Sequence, residues 1–368
     1  MNEIEKSNRR VEMSAVLSDA VYEYEKDYTA GGKKPTEMAV AVLDDAGVDS
    51  SSYEIVDSMY DKDSGVAAIA VKDTLTEETY ISYAGTNYKA DGHKDIIVDA
   101  AIGINDSLYL KKKNKPALDF YDRVEAKGNY ITTTTGHSYG EFQAGRVAIE
   151  RQVPYNYGYQ GAPQSVNGKT AQRMIKDGDS KLLNEIIANK DFDYFKTMLE
   201  VKTNQIGLSL PSDKVLKQYW TYFSSLKNIS PETLKASEKE AKRIEELRKN
   251  YKGQSITFSS TRDVLTNLVW NQNKLEIQFE GQVLDGAFWQ WLLDINTPAI
   301  LDFAGISMET KYPEKVVAID LPIYHNMTAY RKSEEAMQYT KQIVLEQLFA
   351  VDVEGDGILD FAVTPENT

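Results

Sequence analysis

The chain has no cysteine and only three histidines among its 368 residues. The absence of cysteine excludes disulfides, thiolate nucleophiles and cysteine-ligated metal sites. So few histidines also argue against a zinc enzyme, since zinc sites draw on histidine and cysteine ligands. Any chemistry that needs an imidazole must therefore use His93, His137 or His325.

Positive charge is also scarce. The 42 lysines and arginines face 56 aspartates and glutamates, which leaves a formal charge of −14. Nucleic acids are bound by clustered cationic side chains that release counterions from the phosphate backbone. The short lysine-rich run from Lys111 to Lys115 is interpreted as a solvated loop. We therefore expect no nucleic-acid partner.

Long apolar runs are missing as well. The first residues, MNEIEKSNRRVEM, contain no apolar segment of signal-peptide length. No window approaches the roughly 18 apolar residues that span a bilayer. A soluble globular protein without an ordinary secretion signal is expected, either cytoplasmic or exported by a route that reads other signals.

Strand-like and helix-like segments alternate along the chain. An amphipathic helix is predicted over 10–27, followed by the strand-like runs SYEIVDSMYD, VAAIAVK and ETYISYAG, of which the last two form a hairpin. Helices are predicted over 94–104 and 116–128, then a strand over 130–135, a helix to residue 152 and a strand in YNYGYQGAP. This alternation is typical of βαβ units and a mainly parallel sheet.

The region from 165 to 253 is mainly helical, and strand character returns at QSITFSS and KVVAID. Within it, Ser230 is the predicted N-cap of a helix whose first residue is Pro231. The sequence therefore predicts one core formed by 1–165 and 253–345, a helical cap insertion over 166–252 and an acidic tail over 346–368.

The stretch ITTTTGHSYGEFQAGRVAI places Ser138 between two glycines, after a predicted strand and before a predicted helix. Hydrolases hold a nucleophilic serine on such a strained turn, where neighbouring backbones pack closely. The helix that follows offers backbone N–H groups and its positive dipole end to a developing oxyanion. We therefore predict Ser138 as a nucleophile, with the N–H of Tyr139 in the oxyanion hole.

A serine nucleophile needs a histidine base. His137 adjoins Ser138, so its side chain points to the other side and is expected to support the turn. His93 lies upstream of the serine, whereas His325 follows the strand KVVAID, as the order Ser, Asp, His requires. We predict His325 as the base.

The acid of such a triad lies between the serine and the histidine, at the end of a strand. Asp263 directly follows QSITFSSTR and is the preferred choice, with Asp302 and Asp320 as alternatives. Asp320 stands so close to His325 that both would occupy one strand end.

Six short motifs resemble those of the class 3 lipases, the fungal-lipase-like branch of the α/β hydrolases. In chain order they are ISYAGTN, KDIIVDA, TGHSYGEFQA, YQGAP, STRDVLTNL and YHNMTAY. The resemblance implies an α/β-hydrolase fold and assigns an oxyanion-hole role to Thr86. It places Asp95 and Asp99 in the family's acidic segment. The chain departs from the family pattern at Ala84, Ile96 and Glu141, and in the length of its helical insertion.

The resemblance implies a serine esterase that hydrolyses acyl esters of lipids, such as a phospholipase A1 or a lipase, with no cofactor required for catalysis. The alternatives are a catalytically silent hydrolase-fold binding module and a general esterase or thioesterase. The chain is also similar in general appearance to the secreted toxin lipases of Gram-positive type VII systems. That similarity implies a lipid or membrane phospholipid substrate, secretion without a cleavable signal peptide, and an immunity or secretion partner protein.

The tail contains VDVEGDGILDF, a run of acidic residues with the spacing of a calcium loop. Positions 1, 3, 5 and 9 of an EF-hand-like loop are taken by acidic side chains and position 6 by glycine: Asp352, Glu354, Asp356, Asp360 and Gly357. Position 12 is Val363 rather than an acidic residue. The pattern predicts a calcium site, with an acidic turn that binds no ion as the alternative.

Overall fold

The computed structural model describes residues 1–31, 34–85, 101–102, 105–162, 169–178, 184, 188, 191–205, 212–260, 263, 315–319, 321, 323, 325–351 and 360–361. Ten helices are numbered within these ranges. They are α1 (Glu3–Thr29), α2 (Pro35–Asp45), α3 (Ser107–Ala126), α4 (Tyr139–Arg151), α5 (Ala171–Asp177), α6 (Phe192–Gln205), α7 (Asp213–Ser225), α8 (Pro231–Lys249), α9 (Met327–Lys332) and α10 (Glu334–Phe349).

Seven strands form one sheet in chain order. They are β1 (Tyr53–Tyr60), β2 (Ala67–Asp73), β3 (Thr79–Tyr83), β4 (Ile131–His137), β5 (Tyr155–Tyr159), β6 (Gln254–Ser260) and β7 (Lys315–Ile319). The first three are antiparallel, whereas β3 to β7 run parallel. The predicted mixed α/β architecture with a mainly parallel sheet is confirmed. A separate two-stranded pair, β8 (Ala350–Val351) and β9 (Asp360–Phe361), lies near the carboxyl end.

Both faces of the sheet are covered by helices. On β2, Ile69 and Val71 pack against α1 and α2, while Ala68 and Ala70 pack against α3 and α4. This alternation follows from the two-residue period of a strand. The three layers bury both faces of the parallel strands, which explains why the strands are almost continuously buried.

Helix α3 begins earlier than the sequence predicts, so the loop interpretation of Lys111 to Lys115 is wrong. The side chain of Asp106 caps the helix by accepting a hydrogen bond from the N–H of Tyr109 at 3.3 Å. Pro116, predicted as the start of a helix, lies inside α3. A buried stripe at helical spacing explains why the helix continues through it: Leu110, Asn114, Ala117, Phe120, Tyr121 and Val124.

Helices α5 to α8 lie in the chain between β5 and β6, and buried hydrogen bonds join them to α3. Asp106 accepts from the hydroxyl of Tyr222 at 2.9 Å and from Nε2 of Gln172 at 2.7 Å. Ser107 donates to the carbonyl of Ser237 at 3.0 Å. Helices account for most of the residues that the structure describes in this region, and buried polar contacts attach α5, α7 and α8 to the start of α3.

The N-terminus of α8 has the predicted form. Ser230 is its N-cap, accepts a hydrogen bond from the N–H of Thr233 at 3.1 Å, and is followed by Pro231 in the first turn. Among the helices that the structure describes, none is long and apolar enough to cross a membrane.

Candidate functional site

Ser138 stands at the corner between β4 and α4. Its backbone has φ 57° and ψ −126°, a strained conformation for a residue with a side chain. Its N–H donates to the carbonyl of Tyr159 at 3.1 Å, and its carbonyl accepts from the N–H of Ala162 at 3.1 Å. Although Ser138 is the N-cap residue of α4, its hydroxyl makes no capping bond. The fold therefore holds the backbone of this serine while its hydroxyl is not used to cap the helix.

The two glycines that flank Ser138 are required by close backbone packing. A Cβ atom on Gly136 would collide with the backbone of Gly140 in α4, and one on Gly140 would collide with the carbonyl of Tyr83. The strand and the helix therefore meet without an intervening side chain. This is the packing that the glycine spacing predicts.

His325 and Asp263 form a pair in the same region. Nδ1 of His325 lies 2.7 Å from Oδ1 of Asp263, whose side chain is fully buried. The other carboxylate oxygen, Oδ2, accepts from the hydroxyl of Ser259 at 3.2 Å. The His325 side chain remains 28% exposed. A buried carboxylate that holds one imidazole nitrogen leaves the opposite nitrogen available for proton transfer.

The parallel sheet brings this pair to the edge that carries Ser138. The strands β4, β6 and β7 are parallel, so the segments after their last residues share one sheet edge. The hydroxyl of Ser260, at the end of β6, donates to the carbonyl of Leu321 at 2.6 Å and ties the segment that leads to His325 to this edge. The rings of His325 and His137 are 4.6 Å apart. The three predicted triad residues therefore lie around one edge, while His93, Asp302 and Asp320 lie outside the described residues.

His137 supports the turn through a buried hydrogen-bond network. Its Nδ1 lies 2.8 Å from the hydroxyl of Tyr22, and its Nε2 lies 3.1 Å from Oε1 of Gln160. The same Oε1 accepts from the N–H of Asn326 at 2.9 Å, which identifies that atom as the acceptor. Nε2 of His137 must therefore carry a proton, so in the neutral ring Nδ1 accepts from Tyr22. The network links α1 and the serine turn to the residue after His325.

The environment of His137 keeps its imidazole neutral. The pKa of His137 is lowered to about 3, first by burial and then by the neighbouring His325, against smaller opposing effects of Asp263 and Gln160. With a neutral ring, the donor and acceptor roles of both nitrogens stay constant across physiological pH. His137 therefore acts in the structure as a fixed support and not as a titrating group.

The predicted oxyanion hole is described on one side. Tyr139 is the first residue of α4, so its N–H lies at the positive end of that helix. Thr86, the other predicted member, lies outside the described residues, as do Asp95, Ile96 and Asp99. The Tyr139 side chain packs in an apolar cluster with Phe142 and with Tyr222 of α7. Helix α7 thus contributes an aromatic side chain to the buried cluster that contains Tyr139.

Glu141, which departs from the lipase pattern, is buried beside the serine turn. Its side chain is 3% exposed, and its Oε1 accepts from Nδ2 of Asn156 at 2.8 Å. A Cβ atom on Gly158 or on Gly161 would collide with the side chain of Glu141. The two glycines of GYQGAP therefore leave the space that this carboxylate occupies, a pairing that no local pattern in the sequence reveals.

Sequence reasoning also missed the roles of Tyr22 and Gln160. Gln160 is fully buried and adopts a positive φ of 48°, which is uncommon for a residue with a side chain. Tyr22 lies on α1, more than 100 residues from His137 in the chain. Neither residue carries a local signal, because each acquires its role from contacts between distant elements.

Of the predicted calcium ligands, Asp360 is described by the structure. Of the four acidic side chains, Asp352, Glu354 and Asp356 lie outside the described residues. Asp360 lies in β9, opposite Val351 of β8, so the residue before position 1 of the predicted loop pairs with position 9. In the part of the chain that the structure describes, no group of three acidic or histidine side chains is arranged to hold a metal ion.

Comparison with known proteins adds no assignment to this geometry. No protein-family model matches the chain, and no curated protein matches it in sequence.

Proposed function

We propose that the chain is a serine ester hydrolase of the α/β-hydrolase fold that cleaves acyl esters of lipids, similar to the class 3 lipases. The observation that carries the proposal is the Asp263–His325 pair at the sheet edge where Ser138 occupies a strained turn. A buried carboxylate, an imidazole and a serine at a helix N-terminus are the groups that acyl transfer requires.

Each residue has one role in the proposed reaction. The Ser138 hydroxyl attacks the acyl carbonyl while His325 takes its proton and later returns it to the leaving alcohol. Asp263 orients the imidazole and stabilises its charged form. The N–H of Tyr139, together with Thr86, stabilises the oxyanion of the tetrahedral intermediate. Water then attacks the acyl-enzyme by the same route and releases the fatty acid.

Lipid is the favoured substrate class because the insertion contributes aromatic side chains to the apolar cluster that contains Tyr139, the residue after Ser138. Tyr222 and Phe223 of α7 pack with Tyr109 of α3 in the cluster that contains Tyr139. We propose that helices α5 to α8 form a cap over the site. We also propose that acyl chains bind along the aromatic side chains of this cluster. The substrate would be a membrane phospholipid or another glycerolipid, cleaved at the sn-1 ester as the lipase resemblance implies.

A fluorophosphonate probe tests the nucleophile directly, because it forms a covalent bond with an activated serine. We expect stoichiometric labelling of the wild type and none of Ser138→Ala. Ser212→Ala is a matched control, since Ser212 is exposed and makes no capping hydrogen bond in α7. An unlabelled wild type would instead favour the catalytically silent binding module.

The substrate class requires a second measurement. Mass spectrometry of phospholipid vesicles treated with wild type should detect a lysophospholipid that retains its sn-2 chain, and Ser138→Ala should release none. Rapid cleavage of short soluble esters, together with intact phospholipids and glycerides, would replace the lipase proposal with a general esterase or thioesterase.

The resemblance to secreted toxin lipases extends the proposal to location and partners. We propose export without a cleavable signal peptide and a dedicated secretion or immunity protein that binds this chain. Co-purification of the wild-type chain from its own cells and from the culture medium tests both points.

A further inference from the structure

A cleft lies between α3, α4 and α8, with a volume of about 600 Å³. Six basic side chains are in its wall: Lys111, Lys112, Lys115, Arg146, Arg151 and Arg243. Only three acidic ones accompany them: Asp119, Glu150 and Glu240. Arg146 follows Ser138 by eight residues, roughly 12 Å along the helix axis. The cleft is therefore a locally cationic site, separate from the serine turn, on a chain with a formal charge of −14.

The acidic side chains of the wall are already engaged in ion pairs. Arg243 bonds Glu150 at 2.7 Å and Glu240 at 2.7 Å, and Lys111 bonds Glu240 at 2.8 Å. Lys112 is exposed and forms no ion pair with any residue that the structure describes. Lys115 pairs with Asp119, and Arg151 pairs with Asp122 outside the wall at 2.6 Å. Six basic side chains therefore face four carboxylates, and the wall retains positive charge.

Arg146 places part of this charge at depth. Arg146 is only 7% exposed, and its guanidinium carbon lies 5.2 Å from the centre of the Phe142 ring. The pKa of Arg146 is lowered to about 10, chiefly by burial and also by Arg248 and Arg243, against the opposing effect of Glu150 and Glu240. A buried cation in this setting would be stabilised by an additional anion.

Asn114 provides an independent observation in the same wall. The residue is 2% exposed, and neither its Oδ1 nor its Nδ2 has a hydrogen-bond partner among the described residues. Buried amides are almost always hydrogen-bonded, because leaving one unpaired loses its interaction with water without replacement. An oxygen-rich anion in this cleft could accept hydrogen bonds from both the unpaired amide and the buried arginine that line it.

We propose that this cleft binds a phosphate group, held by Arg146 and Asn114 within the wall and by Lys112 at its mouth. Phosphate oxygens accept two parallel hydrogen bonds from a guanidinium and further bonds from an amide N–H and an ammonium group. The group is either free phosphate or the phosphate of a lipid headgroup. The site neither contains nor requires Ser138, so the proposal is independent of the ester hydrolase.

Calorimetric titration of the full chain with sodium phosphate, at ionic strength held constant with sodium chloride, tests the site. We expect saturable binding at one site, weakened at least tenfold in Arg146→Gln and in Asn114→Leu and severalfold in Lys112→Gln. Lys62→Gln is the matched control, because Lys62 is exposed in the turn between β1 and β2. Circular dichroism identifies any variant that fails to fold. If Arg146→Gln fails to fold, Lys112→Gln still tests the site, because Lys112 is exposed.

Vesicles distinguish the two sources of phosphate. In a Ser138→Ala background, sedimentation with phosphatidylcholine vesicles is compared with and without phosphatidic acid. Binding that requires phosphatidic acid and is lost in Lys112→Gln identifies a lipid headgroup, whereas phosphate binding without vesicle binding identifies a soluble ligand. The absence of saturable phosphate binding, or equal affinity in the wild type and every folded cleft variant, overturns the proposal.

Discussion

The imidazole rings of His137 and His325 lie 4.6 Å apart, with 36° between their planes. One ring is buried and bonded to Tyr22 and Gln160, and the other is bonded to Asp263. The imidazole of His325, the proposed base, is therefore held by the carboxylate of Asp263 and packs against the neutral ring of His137.

The buried state of His137 predicts that the protein loses stability in mild acid. Its pKa is lowered to about 3 in the folded chain, whereas an unfolded histidine titrates near its ordinary value of 6.5. Between these values the unfolded state binds a proton that the folded state does not. The free energy of unfolding should therefore fall as pH falls through this window, by up to about 1.4 kcal/mol per pH unit.

Urea denaturation of wild type and His137→Gln at several pH values measures this contribution. Other groups also titrate in this range, so the difference between the two slopes isolates His137. His93→Gln is the control for removing a histidine elsewhere. Parallel slopes for wild type and His137→Gln would show that His137 is not the source.

Tyr22→Phe should weaken the support beneath the serine turn. The change removes the hydroxyl that lies 2.8 Å from Nδ1 of His137 and leaves a buried acceptor unpaired. We expect a loss of about 1–3 kcal/mol in the free energy of unfolding. We also expect a lower kcat with little change in KM, because the network reaches Asn326 beside His325.

Tyr28→Phe is the matched control for that experiment. Tyr28 is on the same helix, but its ring packs against Tyr60 and not against His137. Equal losses of stability and kcat in the two variants would remove any special role for Tyr22.

Gly158 and Glu141 should be energetically coupled. An added methyl group in Gly158→Ala would overlap the carboxyl group of Glu141, and we expect a loss of about 1–3 kcal/mol in the free energy of unfolding. Glu141→Ala removes the obstacle, so the double variant should be more stable than the sum of the single changes predicts. If chemical denaturation showed that the two single changes add up to the loss of unfolding free energy in the double variant, the overlap would be contradicted.

The proposed acid can be tested against its alternative. Asp263→Asn should reduce kcat for an ester substrate on the order of 10⁴-fold, because His325 would lose the partner that sets its tautomer. Asp302→Asn should change kcat by no more than severalfold. If the two effects were reversed, the role of the acid would pass to Asp302.

The acidic tail predicts a calcium site that calorimetry can detect. Its acidic side chains have the spacing of an EF-hand-like loop, but Val363 replaces the acidic residue at position 12. We expect binding in the micromolar to millimolar range that is weakened by Asp356→Asn. No heat of calcium binding across that range would leave the tail as an acidic turn.

The differences between expectation and structure have local causes. Pro116 resembled a helix start because proline favours the first turn, yet α3 extends nine residues before it. Asp106 supplies the N-cap, and the buried positions from Leu110 onward continue the helical spacing. The lysines from Lys111 to Lys115 lie in this helix, whose opposite side is buried. A run of like charge therefore did not identify a loop.

The sequence by itself determined the features that depend on neighbouring residues. The alternation of strands and helices, the serine turn and the N-cap at Ser230 are set by side-chain period, backbone sterics and capping. Gly136 belongs to the same class, because the backbone that excludes a side chain there is that of Gly140, four residues away, whereas the close neighbour of Gly140 is Tyr83 on a different strand.

Only the tertiary structure decided which distant side chains meet. Tyr22 and His137 are 115 residues apart in the chain, and Tyr222 and Asp106 are 116 apart. Hydrogen bonds and buried charges act over a few ångströms, so their partners are determined by how the sheet and the helices pack. No period or spacing in the chain contains that information, and for this reason the neutral support at His137 and the space for Glu141 became visible only in the fold.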